Sequence, residues 1–571
     1  LIELPEGSLG ADVLRLREWA EKASADGDTG DRDSAPPHTD RLWRQVSVNH
    51  RECLTAAKCP YGLECLAERA RERAHRSQLI VTNHSLLAID AIEGVPMIPD
   101  YDVVVVDEAH ELSARVTQAG TDELSLPSIE RAARRARNFV DGSEADDLED
   151  ASDALRAAIL DLQLGRIDVV PDGLAAALAM VRDAARRVFS SMPKEAKDAE
   201  GDAARQQARG MVDEIRKISE RLAAHSPDDV TWLSERDSAR GGSQLCVAPL
   251  QVWGQLRDRL LGDKTVVFTS ATLKLGGDFT ALATSIGLKP GERADHSIDG
   301  SAELSAAASV PVTAGLPSDR APSGSDDDAG DGEVTGQAEG HEPKVALPWR
   351  GIDVGSPFDY AKQGILYIAR HLPSPGRDGL GGAQIEEIRR LVEAAGGRTL
   401  GLFSSRRAAE TAAEALRELV PHLPILCQGD GQLSHLRAEF VANPAVSLFG
   451  TLSLWQGLDL PGETCQVVVI DRIPFPRPDD PLMSARARAA DRAGGNGFMA
   501  VSATHAALLL AQGAGRLIRT RSDRGVVAIL DPRLATARYG SFLRASLPPM
   551  WTTYDPEVAE AALHRLTADS T

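Results

Sequence analysis

The chain has 571 residues, 43% of them hydrophobic and 26% charged, with a formal charge of -21. That length exceeds what one hydrophobic core supports, so several domains are expected. No run approaches the ~20 apolar residues of a membrane-spanning helix. The acid gathers in blocks such as 141–153 and 326–328, which excludes a chain coated in basic residues but leaves room for a local basic channel.

Residues 1–45 are polar, broken by Gly and Pro, and read as a helix and a loop. Cys53, Cys59 and Cys65 follow at C-x5-C-x5-C spacing, then a basic helical segment at 66–76. Residues 78–83 are apolar and β-branched, the composition of a strand. Val103 to Val106 is a fully apolar run, the pattern of a strand buried on both faces of a parallel sheet. From 112 to about 233, Ala, Leu, Arg and Glu recur at helical spacing with almost no strand signal, so an all-helical insertion is expected. Sheet character returns at 265–269. Residues 300–347 are rich in Ser, Ala, Gly, Pro and Asp and read as a disordered linker or insertion. Strands are then expected at 398–403, 446–449, 467–470 and 526–530, alternating with helices as in a doubly wound sheet.

Asp107, Glu108, Ala109 and His110 close the strand at 103–106, on the edge where open α/β sheets bind ligands. Phosphoryl transfer to water needs a carboxylate for Mg²⁺ and a base or positioner for the water, roles that suit Asp107 and Glu108. His110 is a candidate coupler to a second lobe. Ser270 and Thr272 close the strand at 265–269. Gln512, Arg516 and Arg519 fall on a predicted helix starting at Thr504, and the two arginines, three apart, are expected on one face. There they would reach a triphosphate held by the opposite lobe. Ser404, Ser405 and Arg406, after one predicted strand, and Thr451, Ser453 and Trp455, after another, are candidate nucleic-acid backbone contacts. Gly457 and Asp459 would face the nucleotide. Each of these turns also reads as an ordinary strand-to-helix connection. No G-x-x-x-x-G-K-[ST] loop occurs. Lys264-Thr265 is a decoy, because Asp258 and Asp263 stand where the glycines belong and a strand follows.

The order DEAH at 107–110, SATL at 270–273, GTLSLWQGLDLPG at 450–462 and QGAGRLIR at 512–519, with VTNHSLL at 81–87, resembles the DinG/XPD group of superfamily 2 DNA helicases, in its bacterial DinG branch. The resemblance implies an α/β fold of two RecA-like parallel-sheet lobes, with a small cysteine-cluster domain and an all-helical arch inserted in the first. The expected divisions are 1–111 for partial lobe 1, with the cysteine region at 45–76, and 112–235 for the arch. Residues 236–299 complete lobe 1, 300–347 form the linker, and 348–571 form lobe 2. Because the chain opens on Leu1 without a phosphate loop, the expectation is an N-terminally truncated helicase, inactive alone.

The resemblance further implies ATP with Mg²⁺, 5′→3′ movement on single-stranded and forked DNA, and a role in repair or replication. Also implied are a bacterial cytoplasmic location, at the nucleoid when bound to DNA, a monomer, and no membrane. It makes Cys53, Cys59 and Cys65 three of the four ligands of a [4Fe-4S] cluster, with the fourth upstream. Zinc, or three structural cysteines, remain open from the spacing. Cys246, Cys427 and Cys465 read as core residues. Two other functions share these motifs: a non-catalytic single-strand-binding relative of a helicase, and an RNA–DNA hybrid helicase.

Overall fold

A computed structural model describes residues 9–39, 42–43, 46–48, 53, 56, 59, 62–93, 97–193, 199–235, 242–262, 264–294, 346–376, 379–451 and 464–569. The expected linker lies almost wholly outside them. Among the described residues no helix is long and apolar enough to cross a membrane. The chain divides into two units. One holds 1–104, 112–265 and 479–482, and the other 105–111, 266–478 and 483–571.

In the first unit, helices α1 (Leu9–Asp26), α2 (Leu66–His75), α3 (His84–Glu93) and α4 (Leu112–Ala119) precede four more. These are α5 (Leu126–Ala136), α6 (Gly142–Leu160), α7 (Asp172–Ser191) and α8 (Ala199–Ala224). Their apolar stripes bury Ile129, Leu148, Leu155, Leu178, Val181 and Val212 in one core. The region is not all-helical. Strands β2 (Asp122–Ser125), β3 (Gly165–Arg166) and β4 (Asp229–Glu235) join β5 (Ser243–Pro249) in an antiparallel sheet of order β2-β5-β4-β3. Leu124, Leu233, Leu245 and Val247 of that sheet complete the helical core. Two of these strands are four residues or shorter, too brief for their period to register beside long Ala-rich helices. Arg221, near the end of α8, binds Asp122 (2.7 Å) and Asp229, fastening the helix to β2 and β4.

Two expectations in this part of the chain fail. Among the described residues, β1 (Val103–Val106) pairs only with β6 (Thr265–Phe268). Thr265 N–H donates to the Asp102 carbonyl and Thr269 N–H to the Val106 carbonyl at constant register, as in a parallel pair. Val106 is buried, but Val103 and Val105 are 58% and 62% exposed, so the run is not covered on both faces. Residues 78–83 form no strand, and Leu79 and Val81 are exposed. An apolar, β-branched run becomes a strand only where another strand takes up its N–H and C=O groups, and none lies beside it among the described residues.

The second unit is built on a seven-stranded parallel sheet. Its strands are β7 (Gly364–Ile368), β8 (Thr399–Phe403), β9 (Ile425–Cys427), β10 (Ser447–Thr451), β11 (Val467–Ile470), β12 (Gly525–Ile529) and β13 (Trp551–Thr553), in the order β13-β7-β12-β11-β8-β10-β9. The four strands expected here are present within one residue at each end, apart from a two-residue extension of β10 at Thr451. Successive side chains alternate between faces. Val468, Ile470, Val527 and Ile529 enter one core with α11 (Leu433–Ala442) and α13 (Thr504–Ala514), which α12 (Pro481–Arg492) separates in the chain. Val467, Val469, Val526 and Ala528 enter the other with α9 (Gly382–Ala394), α10 (Arg406–Leu419) and α14 (Pro556–Asp569). A Cβ on Gly401 would lie 2.6 Å from the Phe449 ring, so glycine there admits the Phe403–Phe449 contact. The register places Phe403, Thr451 and Ile470 along one carboxyl edge.

Asp531, two residues past the end of β12, is fully buried. It accepts from Ile473 N–H (3.0 Å), Arg533 N–H (3.0 Å) and the Arg533 guanidinium (2.6 Å). Asp531→Ala strands those donors and is expected to cost about 2–4 kcal/mol, read as a lower urea midpoint at unchanged slope.

Candidate active site

The turn after β1 is backbone-strained. Glu108 sits at φ +47°, a left-handed conformation that costs a non-glycine residue roughly 1–2 kcal/mol. Ala109 N–H to the Thr269 carbonyl (3.0 Å) and Glu111 N–H to the Glu108 carbonyl (2.9 Å) hold it in place. The result presents Asp107 and Glu108 to solvent and turns His110 inward, its side chain only 6% exposed.

The structure brings the DEAH, SAT and Gln512 residues together within the second unit. Thr269 Oγ1 donates to Asp107 Oδ1 (2.7 Å) and Ser270 Oγ to Glu108 Oε2 (2.7 Å). Ser270 Oγ and Thr272 Oγ1 lie 2.9 and 3.1 Å from His110 Nδ1, and Glu108 Oε2 lies 3.3 Å from it. On the far side of the ring, the Gln512 amide nitrogen contacts His110 Nε2. Because the Ser270 proton is directed at Glu108, its lone pairs face His110. The consistent assignment is the Nδ1–H tautomer, with Nε2 accepting from Gln512. His110 thus faces Glu108 through one nitrogen and Gln512 through the other.

Arg516 and Arg519 are not on the helix that carries Gln512. Helix α13 ends at Ala514, and Gly515 follows. Arg516 N–H turns back to the Gly513 carbonyl (3.1 Å), and the two glycines of the segment weaken the helix where it would continue. Asp523 then captures Arg519 N–H and Thr520 N–H, both at 2.7 Å. Gln363 Nε2 donates to the carbonyls of Thr520, Arg521 and Asp523 at 3.0–3.2 Å. The arginines, both half-buried, are therefore spaced by an anchored loop and not by a helix face.

Along the carboxyl edge of the large sheet, Ser404 donates both its N–H and its hydroxyl to Asp471, each at 2.9 Å. Burial pushes the Asp471 carboxyl up, against the opposing pull of Arg472 and Ser404. Ser405 caps α10 by accepting from Ala408 N–H (3.2 Å), and Arg406 pairs with Glu410 (3.2 Å). Thr451 donates its N–H and hydroxyl to Gln428 Oε1 (2.9 and 3.0 Å). Ser453, Trp455, Gly457 and Asp459 lie outside the described residues. Asp471, Gln428, Thr269 and Asp523 were not singled out from sequence. Asp471 alone carried a signal, since it follows an apolar strand as Asp107 does.

Asp107 suits a hard divalent cation, being an exposed carboxylate with one oxygen fixed by Thr269. The cysteines do not make a matching case for a cluster. Cys53, Cys59 and Cys65 are free and half-buried. Among the described residues no group of three or more His, Cys, Asp or Glu is placed to hold a metal ion. Cys246, Cys427 and Cys465 are buried core residues, as expected, and burial raises the thiols of Cys427 and Cys465 to about 11 and about 12.

Residues 388–550 match a family model described as "Helicase C-terminal domain". The chain is 47% identical over 568 residues to the ATP-dependent helicase DinG of Mycobacterium tuberculosis (strain H37Rv), covering 98% of this chain and 76% of that protein. It is 27% identical over 564 residues to the ATP-dependent DNA helicase YoaA of Escherichia coli K12, covering 95% and 78%. A solved structure titled "XPD_Helicase" aligns with 86% of this chain and 75% of its own, at 15% identity and a TM-score of 0.49. The resemblance carried by the DEAH, SATL and QGAGRLIR segments thus holds, and the chain belongs to the DinG family of ATP-dependent helicases.

Proposed function

We propose that this chain forms the motor of a DNA-stimulated ATPase that moves 5′→3′ along single-stranded DNA and unwinds duplexes in the bacterial cytoplasm. The observation that carries the reading is the His110 network, which ties Glu108 to Gln512 through one imidazole. Asp107 would hold Mg²⁺ bound to the triphosphate. Glu108, with one oxygen engaged by Ser270, would orient the attacking water with the other and take its proton. Arg516 and Arg519 would stabilise charge on the transferred phosphoryl group. The helical unit α5–α8 is proposed as the arch of the DNA path. The polarity follows the family resemblance.

The test is ATP hydrolysis by the full-length protein with and without single-stranded DNA, followed by unwinding of 5′- and 3′-tailed duplexes. Stimulated turnover with opening of the 5′-tailed substrate supports the reading. Hydrolysis indifferent to DNA sinks it. Within that assay, His110→Ala and Gln512→Ala are expected to be non-additive, with a coupling of about 1–2 kcal/mol in a double-mutant cycle. Additive losses would show that the two residues act separately.

A further inference from the structure

Aromatic residues make up only 4% of the chain, yet three of them meet in the second unit. The ring centroids of Phe475 and Phe498 are 5.4 Å apart, those of Phe475 and Tyr539 5.4 Å, and those of Phe498 and Tyr539 5.2 Å. Each ring comes from a different element. Phe475 lies in the loop after β11, between Pro474 and Pro476, with Pro478 just beyond. Phe498 opens a π-helical turn (Phe498–Ala503), a distortion found more often at functional sites than elsewhere. Tyr539 caps the short helix Gly540–Ala545.

The rings are held in advance. The prolines restrict the loop, Ile473 N–H is fixed by Asp531, and the Arg533 guanidinium lies 5.9 Å from the Phe475 centroid. Gly497 N–H is bound to Asp491 (2.7 Å), and a Cβ there would come within 2.1 Å of the Ala487 carbonyl oxygen, so the turn that presents Phe498 is closely seated. Phe475 and Tyr539 pack their inner sides on the core, while Phe498 is 41% exposed.

The stretch of sequence that carries the three rings is basic in an acidic protein. Residues 472–545 contain twelve Arg, no Lys, no Glu and five Asp, a formal +7 in a chain of -21. Two of those aspartates, Asp523 and Asp531, are buried and bonded to protein groups. Arg477 and Arg538, near Phe475 and beside Tyr539, are exposed. Guanidiniums bind phosphates in bidentate fashion and also stack on bases.

We propose that Phe475, Phe498 and Tyr539 form a stacking platform for the bases of a single-stranded nucleic acid, whose phosphates run along the flanking arginines. The proposal rests on the helicase reading and adds a place where unpaired bases are gripped. A duplex keeps its bases stacked inside, so the platform favours single strands. The charge segregation selects a polyanion over an apolar protein partner as occupant.

The test is binding of a labelled thymidine oligonucleotide to the full-length protein by fluorescence anisotropy, across a salt series. Phe498→Ala is expected to weaken binding about 5- to 50-fold, with the salt slope unchanged because no phosphate contact is removed. Phe498→Leu keeps apolar bulk for packing but lacks a stacking face, and is expected to weaken binding to a similar degree. Replacing the bases with abasic sites should weaken the wild type and leave Phe498→Ala with little further loss. Wild-type affinity in both variants would overturn the platform and leave the cluster as packing or a protein contact. Equal sensitivity of wild type and variant to abasic substitution would also overturn it. A wild-type protein that does not bind the oligonucleotide at all defeats the helicase reading itself, which separates that failure from failure of the platform.

Discussion

Glu108→Gln is expected to lower DNA-stimulated ATP turnover by about 100- to 10,000-fold, the range for loss of a positioned general base. The substitution keeps size and hydrogen-bonding capacity. The glutamine carbonyl oxygen can still accept from Ser270, so the His110 network and the left-handed turn should survive. What disappears is the ability to take a proton from water. The predicted signature is therefore kcat lost, with nucleotide and DNA affinity retained. Steady-state hydrolysis and nucleotide binding measured on the same preparation check it. Near-normal kcat would remove Glu108 from the chemistry. Equal collapse of nucleotide binding would mean that its role is structural or in metal binding.

Arg516→Ala is expected to reduce kcat by about 1,000-fold or more, the effect of removing a guanidinium from a transferring phosphoryl group. Arg516→Lys tests the same point more finely, because it keeps the charge but loses the planar fork, and recovery should be partial at best. The anchored loop makes this a clean experiment. Asp523 and Gln363 hold the backbone from Arg519 to Asp523 through main-chain groups, which neither substitution removes. A fall in melting temperature without a specific fall in kcat would reassign Arg516 to packing.

Much of this organisation was legible in the residues. The apolar runs ending in Phe403 and Ile470 mark the carboxyl edge of parallel strands, because a strand buried in a sheet has no polar position until it emerges. The DEAH, SAT and QGAGRLIR segments pointed to the family through residue types that phosphate transfer requires. The short strands of the first unit escaped because two to four residues cannot show a period against a helical background. The strand expected at 78–83 failed for the opposite reason: its composition fits a strand, but composition supplies no partner.

By itself the sequence determined the helicase family, the parallel sheet of the second unit and the candidate residues for the site. Local composition and order carry those, since burial period and functional groups are properties of short segments. Only the tertiary structure decided which participants meet. That His110 stands between Glu108 and Gln512, 402 positions away from the latter, is a consequence of chain folding that no spacing encodes. Likewise, helix α13 stops before Arg516, Ser404 gives both its donors to Asp471, and three scattered aromatic rings come into contact. Long-range hydrogen bonds and ring contacts depend on where elements pack, and that is settled by the whole core.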